Sequence, residues 1–301
     1  MTRDSRPTGL FKKACAFLVL AVGWGTVTGC ASKPVPPPTP RAWEEAGRLS
    51  RQAAQLQANG DWNGALAWWE RAARQYQLLN DRTHLAMAWH NLGSVHRALG
   101  QTKEATAELE RAAALNADLG QTNAWWRNQI ALLQVANDAS QPGVVDVLVR
   151  LDQQPGRPTD GTLGAVLAQE RARAWMATGR LPEALGEAER AVAEFAKGGD
   201  RAGKAAARVT VAKILRRLGR FGEASRVWRQ VLPEFEAMGD PRGVAVSLAG
   251  WGGCLAAEGQ DPALAADLLK RAEANYRSLG LSREAEALAD EIGRLAEPRE
   301  E

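Results

Sequence analysis

Small and apolar residues recur at helical spacing from about residue 42 onward, in register with a series of glycines. Gly60, Gly100, Gly179, Gly219 and Gly259 each close an alanine-rich stretch, at intervals of 40, 79, 40 and 40 residues. A helix end favours a left-handed residue just beyond it, a conformation that glycine adopts without a side-chain clash. Each glycine therefore marks a helix stop. Seven residues before them stand Ala53, Gly93, Ala172, Ala212 and Gly252, where a small side chain lets a second helix come close. Five residues after them stand Ala65, Ala105, Ala184, Ala224 and Leu264, and nine after them Trp69, Leu109, Ala188, Trp228 and Leu268. Ala72, Ala112, Ala191 and Val231 follow at twelve. Offsets of five, nine and twelve differ by four and three, which is one stripe of a helix. The last unit fits better with one extra residue in its turn, as Ala265, Leu269 and Ala272. Asp240-Pro241 and Asp261-Pro262 mark helix starts, an N-cap followed by proline in the first turn. The pattern predicts helix pairs, one helix before each glycine and one after it.

Six such pairs fit between residues 42 and 280, three over 42–151 and three over 164–280. The third is degenerate: Ser140-Gln141-Pro142-Gly143 replaces the glycine turn, and Val144, Val145, Val147 and Val149 give a β-branched second helix. The loop 152–163, with Pro155 and Pro158, follows as a candidate hinge between the halves. Residues 281–301 read as an amphipathic capping helix and tail, which an open-ended helical array needs for solubility. Trp89-His90-Asn91-Leu92-Gly93, followed by Gly100 and Ala105, resembles the landmarks of tetratricopeptide repeats. The usual unit of that family is about 34 residues, and a 40-residue unit resembles its longer-helix variety. The resemblance implies an all-α fold, a right-handed tetratricopeptide-like helical solenoid of about six 40-residue helix-pair repeats plus a C-terminal capping helix.

In that family, first-helix residues line the inner face of the superhelix, which commonly receives a peptide or a partner helix. Carried over by landmark, the lining is Ser50, Ala54 and Gln57, then His90, Asn91, Ser94 and Arg97, then Trp126, Gln129 and Leu133. The second half contributes Gln169, Glu170, Arg173, Val209, Lys213, Arg216 and Arg217, and the sixth unit is nearly bare with Ala249, Gly250, Gly253 and Ala256. The Lys and Asn set that clamps a C-terminal carboxylate in some members is matched only at Asn91. The cations from Arg173 to Arg217 form a strip suited to an acidic peptide, with Glu170 lying in it. Among eleven tryptophans, Trp69, Trp89, Trp175, Trp228 and Trp251 fall on core landmarks, while Trp43, Trp62, Trp68, Trp125 and Trp126 form a candidate aromatic contact patch.

The N-terminus changes the picture. A basic start precedes an apolar run from Ala14 to Val27, and its fourteen residues span roughly 21 Å as a helix, short of a hydrocarbon core of about 30 Å. Residues 1–29 therefore read as an export signal. Val27-Thr28-Gly29-Cys30 resembles the lipobox of bacterial lipoproteins, which implies acylation of Cys30 and cleavage before it. Two or three acyl chains anchor stably where one is marginal. Ala31 in place of Asp favours, by resemblance to Gram-negative sorting, the outer membrane facing the periplasm. Residues 30–41 carry the acylated cysteine and a proline-rich stalk. The chain has 38 basic and 35 acidic residues, and removing the signal's four cations and one acid leaves 34 of each. A neutral body argues against nucleic acid as partner.

Little else carries chemistry. Cys254 is the cysteine left once Cys15 departs with the signal and Cys30 is acylated, so no intrachain disulfide forms. His84, His90 and His96 point to separate sides of one helix and cannot share a metal. No phosphate-loop, metalloprotease or nucleophile-elbow pattern occurs, and no catalytic residue, cofactor or metal is expected. The resulting expectation is a non-enzymatic, lipid-anchored periplasmic scaffold for assembly of envelope complexes, with a peptide or helix of another envelope protein in its groove. A small-ligand carrier or enzyme using a cavity between the two halves is one alternative, and a cytoplasmic regulatory repeat domain is the other if the lipobox is accidental.

Overall fold

The computed structural model describes residues 40–139 and 143–296. The export signal, Cys30, nearly all of the stalk and the Ser140-Gln141-Pro142 turn lie outside the described residues. Among the described residues there are thirteen helices and no strand. They are α1 (Arg41–Ala58), α2 (Trp62–Leu78), α3 (Arg82–Ala98), α4 (Thr102–Asp118), α5 (Thr122–Asp138), α6 (Val144–Asp152), α7 (Gly161–Ala177), α8 (Leu181–Lys197), α9 (Arg201–Arg217), α10 (Phe221–Met238), α11 (Pro241–Glu258), α12 (Pro262–Ser278) and α13 (Ser282–Ala296). Each packs chiefly on its neighbours in sequence, so α1 to α12 make six pairs and α13 closes the stack. None of these helices is long and apolar enough to cross a membrane.

The turns follow the glycines. Gly60, Gly100, Gly179, Gly219 and Gly259 have φ between 67° and 80°, which a residue with a Cβ adopts only at a cost. Gly120, Gly199, Gly239 and Gly280 end the second helices in the same way, and Asn80 does so at φ 53°. Asp61, Asp81, Asp200, Asp240 and Asp261 cap the following helices, each accepting a backbone N–H bond of 2.8 to 3.1 Å from three residues ahead. Asp261, at φ 39°, takes up the extra residue of the last turn.

The stripe at five, nine and twelve residues past each glycine is the core. Ala65, Trp69 and Ala72 of α2 and Ala224, Trp228 and Val231 of α10 are all buried, as are Ala265, Leu269 and Ala272 of α12. The small residues of the first helices meet this stripe. A Cβ on Gly93 would lie 2.5 Å from Leu109 Cγ, and one on Gly252 would lie 2.9 Å from Leu269 Cγ. Trp175 is buried with them, and Trp89 and Trp251 are half-buried. The proposed five-member aromatic patch is not a single surface. Trp126 is in the core with Trp125 edge-on to it, Trp62 is half-buried, Trp68 is covered by the guanidiniums of Arg48 and Arg71, and Trp43 is exposed.

The third unit is where the repeat breaks. α6 has 9 residues where the other second helices have 17 or 18. A charged knot holds its end: buried Arg171 of α7 bonds Asp152 at the end of α6 and, at 2.9 Å, Glu187 of α8, while Arg157 of the loop reaches Asp152 at 2.7 Å. Burial opposes ionisation of Asp152, yet Arg171 and Arg157 hold its carboxyl below the ordinary range. α5 meanwhile packs directly on α7, so the layer of first helices continues past the loop.

Candidate partner-binding groove

A first helix in such a stack buries one face against its own second helix and another against its neighbours, leaving a polar strip toward the inner side. Ser94, Gln134, Arg173, Lys213 and Gly253 occupy equivalent points on α3, α5, α7, α9 and α11, spaced 40, 39, 40 and 40 residues apart. Near the first two of these is a cavity of about 670 Å³, lined by His90, Ser94, Arg127 and Gln134 from the helices and by Arg157 and Asp160 from the loop. Ser94 donates to the His90 carbonyl at 3.1 Å and Asn91 to the Met87 carbonyl at 2.9 Å, so both hydroxyl and amide satisfy their own helix. The Nδ1 of His90 is buried without a partner. Desolvation, and then the nearby charge of Arg127, push this imidazole below its ordinary pKa.

Next along the groove is a self-neutralising ladder. Arg97 of α3 bonds Asp138 of α5 at 3.0 Å, and Asp138 receives Arg173 of α7 at 2.7 Å. Arg173 also bonds Glu170 at 2.9 Å, and buried Glu170 accepts from Asn137 at 2.9 Å. Gln169 donates to Thr210 of α9 at 2.9 Å, and Arg217 donates to the Met176 carbonyl. The cationic strip expected from Arg173 to Arg217 is therefore divided. Arg173 is compensated and Arg217 is spent on a carbonyl, whereas Lys213 and Arg216 have no acidic partner among the described residues.

All three lining residues expected from the third unit lie elsewhere, Leu133 being fully buried in the core. Trp126 is 1 % exposed in the core, and Gln129 lines a separate cavity between α4, α5 and α6 together with Trp125 and Val147. The physical reason is a register slip of one residue in the unit whose glycine is missing, which turns an α-helix by about 100°. Arg127, Ile130 and Gln134 take the inner positions instead. The 40-residue spacing from Ser94 to Gln134 carried that signal. Arg242, in the first turn of α11, was outside the landmarks used, and its charge acts on Lys213. No group of three or more His, Cys, Asp or Glu among the described residues could hold a metal. Cys254 is buried, and desolvation raises its thiol pKa, the opposite of an activated nucleophile.

Residues 45–118, the first two units, match the family model of the tetratricopeptide repeat. No curated protein matches the chain. Among solved structures, a Rap protein complexed with competence and sporulation factor aligns with a TM-score of 0.61 at 13% identity, over 83% of this chain and 74% of that one. The apo quorum sensor NprR from B. thuringiensis aligns at 0.60 and 9% identity, over 85% and 77%. A signal transduction ATPase with a tetratricopeptide repeat sensor from Pyrococcus horikoshii aligns at 0.62 and 12%, over 83% of this chain but 42% of that one. At such identities the likeness is one of fold: a tetratricopeptide-like helical solenoid.

Proposed function

We propose that the protein is a non-enzymatic adaptor, anchored through acyl chains on Cys30 to the outer membrane and facing the periplasm, whose inner groove holds a segment of another envelope protein. The observation that carries the groove is the continuity of the inner layer: α5 packs on α7 although α6 is only half the length of its counterparts. A preformed surface of this kind leaves most of the ordering cost to the partner segment. The fold is shared with a Rap protein solved in complex with competence and sporulation factor, which agrees with a groove used for recognition. The anchor is supported by Val27-Thr28-Gly29-Cys30 following an apolar run of signal length. The cavity lined partly by residues 156–160 favours a second reading, a small ligand held at the junction of the halves.

Photocrosslinking in cells tests both parts. A crosslinker placed at Ser94, Gln134 or Lys213 is expected to trap one specific protein, and Cys30→Ser is expected to move the protein from the membrane fraction to the soluble one. Absence of any specific adduct from every groove position removes the adaptor reading, and unchanged fractionation of the Cys30→Ser protein removes the anchor. Adducts absent from Lys213 but small-molecule density retained at Ser94 favour the second reading.

A further inference from the structure

The outer layer of second helices is open beside the short one. Arg171 of α7 bonds both Asp152 of α6 and Glu187 of α8, so this position of a first helix looks out between two consecutive second helices. Arg171 is buried there, and so are its counterparts, Leu92 of α3 and Val211 of α9. Leu132 of α5, 40 residues after Leu92 and 39 before Arg171, is only half-buried. A hollow of about 420 Å³ opens over it between α4 and α6, with Val147 and Leu151 of α6 beside it, Glu110 of α4 on one wall and Arg150 of α6 on the other. A second hollow of about 300 Å³ continues toward the end of α4 and the start of α5, past Ala117 and Thr122. Trp125 and Gln154 line both, so the two hollows form one trough. It lies where α6 supplies 9 residues and the other second helices supply 17 or 18.

The trough has the repeat of a helix face. Trp125 and Leu132 stand seven residues apart on α5, roughly 10 Å at 1.5 Å per residue, which is the distance between anchors two turns apart on a helix laid alongside. The walls are helices too, and the layer that the trough interrupts is made of helices. Apolar side chains left half-open there regain burial only against a complementary apolar stripe. Glu110 and Arg150 are exposed on opposite walls, and neither forms an ion pair among the described residues. We infer that the trough docks a short amphipathic helix of a partner protein, whose apolar stripe enters the two hollows, with a basic residue on the flank facing α4 and an acidic one on the flank facing α6. Opposite charges on the two walls match such a helix better than a lipid surface of one sign. The site belongs to the outer layer, so it stands or falls separately from recognition in the inner groove.

Fluorescence anisotropy with dye-labelled, stapled helical peptides of about four turns tests the site on the full chain in neutral detergent. All carry a stripe of leucines; one has lysines on one flank and glutamates on the other, a second has lysines on both flanks, a third has glutamates on both, and a control has its leucines scattered around the helix. The mixed-flank peptide is expected to bind best and the control not to bind. Glu110→Lys is expected to turn the preference to the glutamate-flanked peptide, and Arg150→Glu to the lysine-flanked one, each by about threefold, the range of an exposed ion pair. Gln129→Trp, which fills the trough, is expected to abolish binding, whereas Gln134→Trp on the inner face is expected to leave it unchanged. Circular dichroism melts verify that each variant folds, and the two charge reversals, made at exposed positions, keep the test decisive if a tryptophan variant melts early. No binding by any peptide, equal binding of the control, an unmoved preference in both charge variants, or an equal loss in Gln134→Trp overturns the site. Self-association of the chain that Gln129→Trp removes overturns it in favour of a second copy of this chain as the occupant.

Discussion

His90 shows how one side chain senses the groove. Its ring faces Arg127 and is largely withdrawn from water, so the folded state prefers the neutral imidazole and its pKa lies below the unfolded value near 6.5. A group of this kind contributes fully above the unfolded pKa, and its contribution is lost as the pH falls through that value toward the folded one, because the unfolded chain takes up the proton first. The wild-type melting temperature is therefore expected to fall more between pH 7.5 and 5.5 than that of His90→Gln. Parallel pH curves for the two proteins would mean that the ring is not held neutral. At this scale the sequence was a partial guide. His90 was readable as a lining residue from its distance to Gly100, whereas its neighbour Arg127 was not, because no glycine fixes the phase of α5.

At the scale of the element, glycines that look alike in a list of residues act in opposite ways. Gly250 of α11 faces Trp228 of α10, and a Cβ there would sit 2.3 Å from the indole ring. Gly250→Ala is expected to cost about 1–3 kcal/mol by overpacking. Gly186, inside α8, has open space around its missing Cβ, and Gly186→Ala is expected to gain about 0.5–1 kcal/mol through helix propensity. Urea denaturation of the two variants reads both signs, and destabilisation by Gly186→Ala would show that α8 is packed more closely than the structure has it. Helix boundaries were legible here because turns and caps are local: Asp240 and Asp261 cap where the Asp-Pro pairs stand. α6 runs only from Val144 to Asp152, between Pro142-Gly143 in the sequence and Pro155, whose ring cannot continue a helix.

At the scale of the whole molecule, α13 closes the stack by laying Ala285 and Leu288 over Leu268, Leu269 and Tyr276 of α12. Deleting residues 282–301 uncovers that face. The shortened protein is expected to lose about 3 kcal/mol, the burial of one or two large aliphatic side chains, and to self-associate as an uncapped array does. Light scattering and urea denaturation measure the two effects, and a monodisperse shortened protein of unchanged stability would mean that α13 is not the cap. The Arg171, Asp152 and Glu187 knot has a comparable role inside the stack, replacing with ion pairs the apolar contacts that the short α6 cannot make.

What the sequence determined by itself was the repeat: its period, its turns, its small-residue approaches and the class of fold they build, all of which depend on contacts within a few dozen residues. It also located the surplus charge in residues 1–29, leaving a neutral body. Only the tertiary structure decided which charges remain available. Arg97, Arg173, Lys213, Arg216 and Arg217 look equivalent as letters in first helices, but Asp138 bonds the first two across helix boundaries, the Met176 carbonyl takes Arg217, and Lys213 and Arg216 form no ion pair among the described residues. Pairings between residues some 35 to 41 positions apart depend on the relative rotation of neighbouring helices, and that rotation is fixed by how whole helices pack rather than by any local pattern of residues.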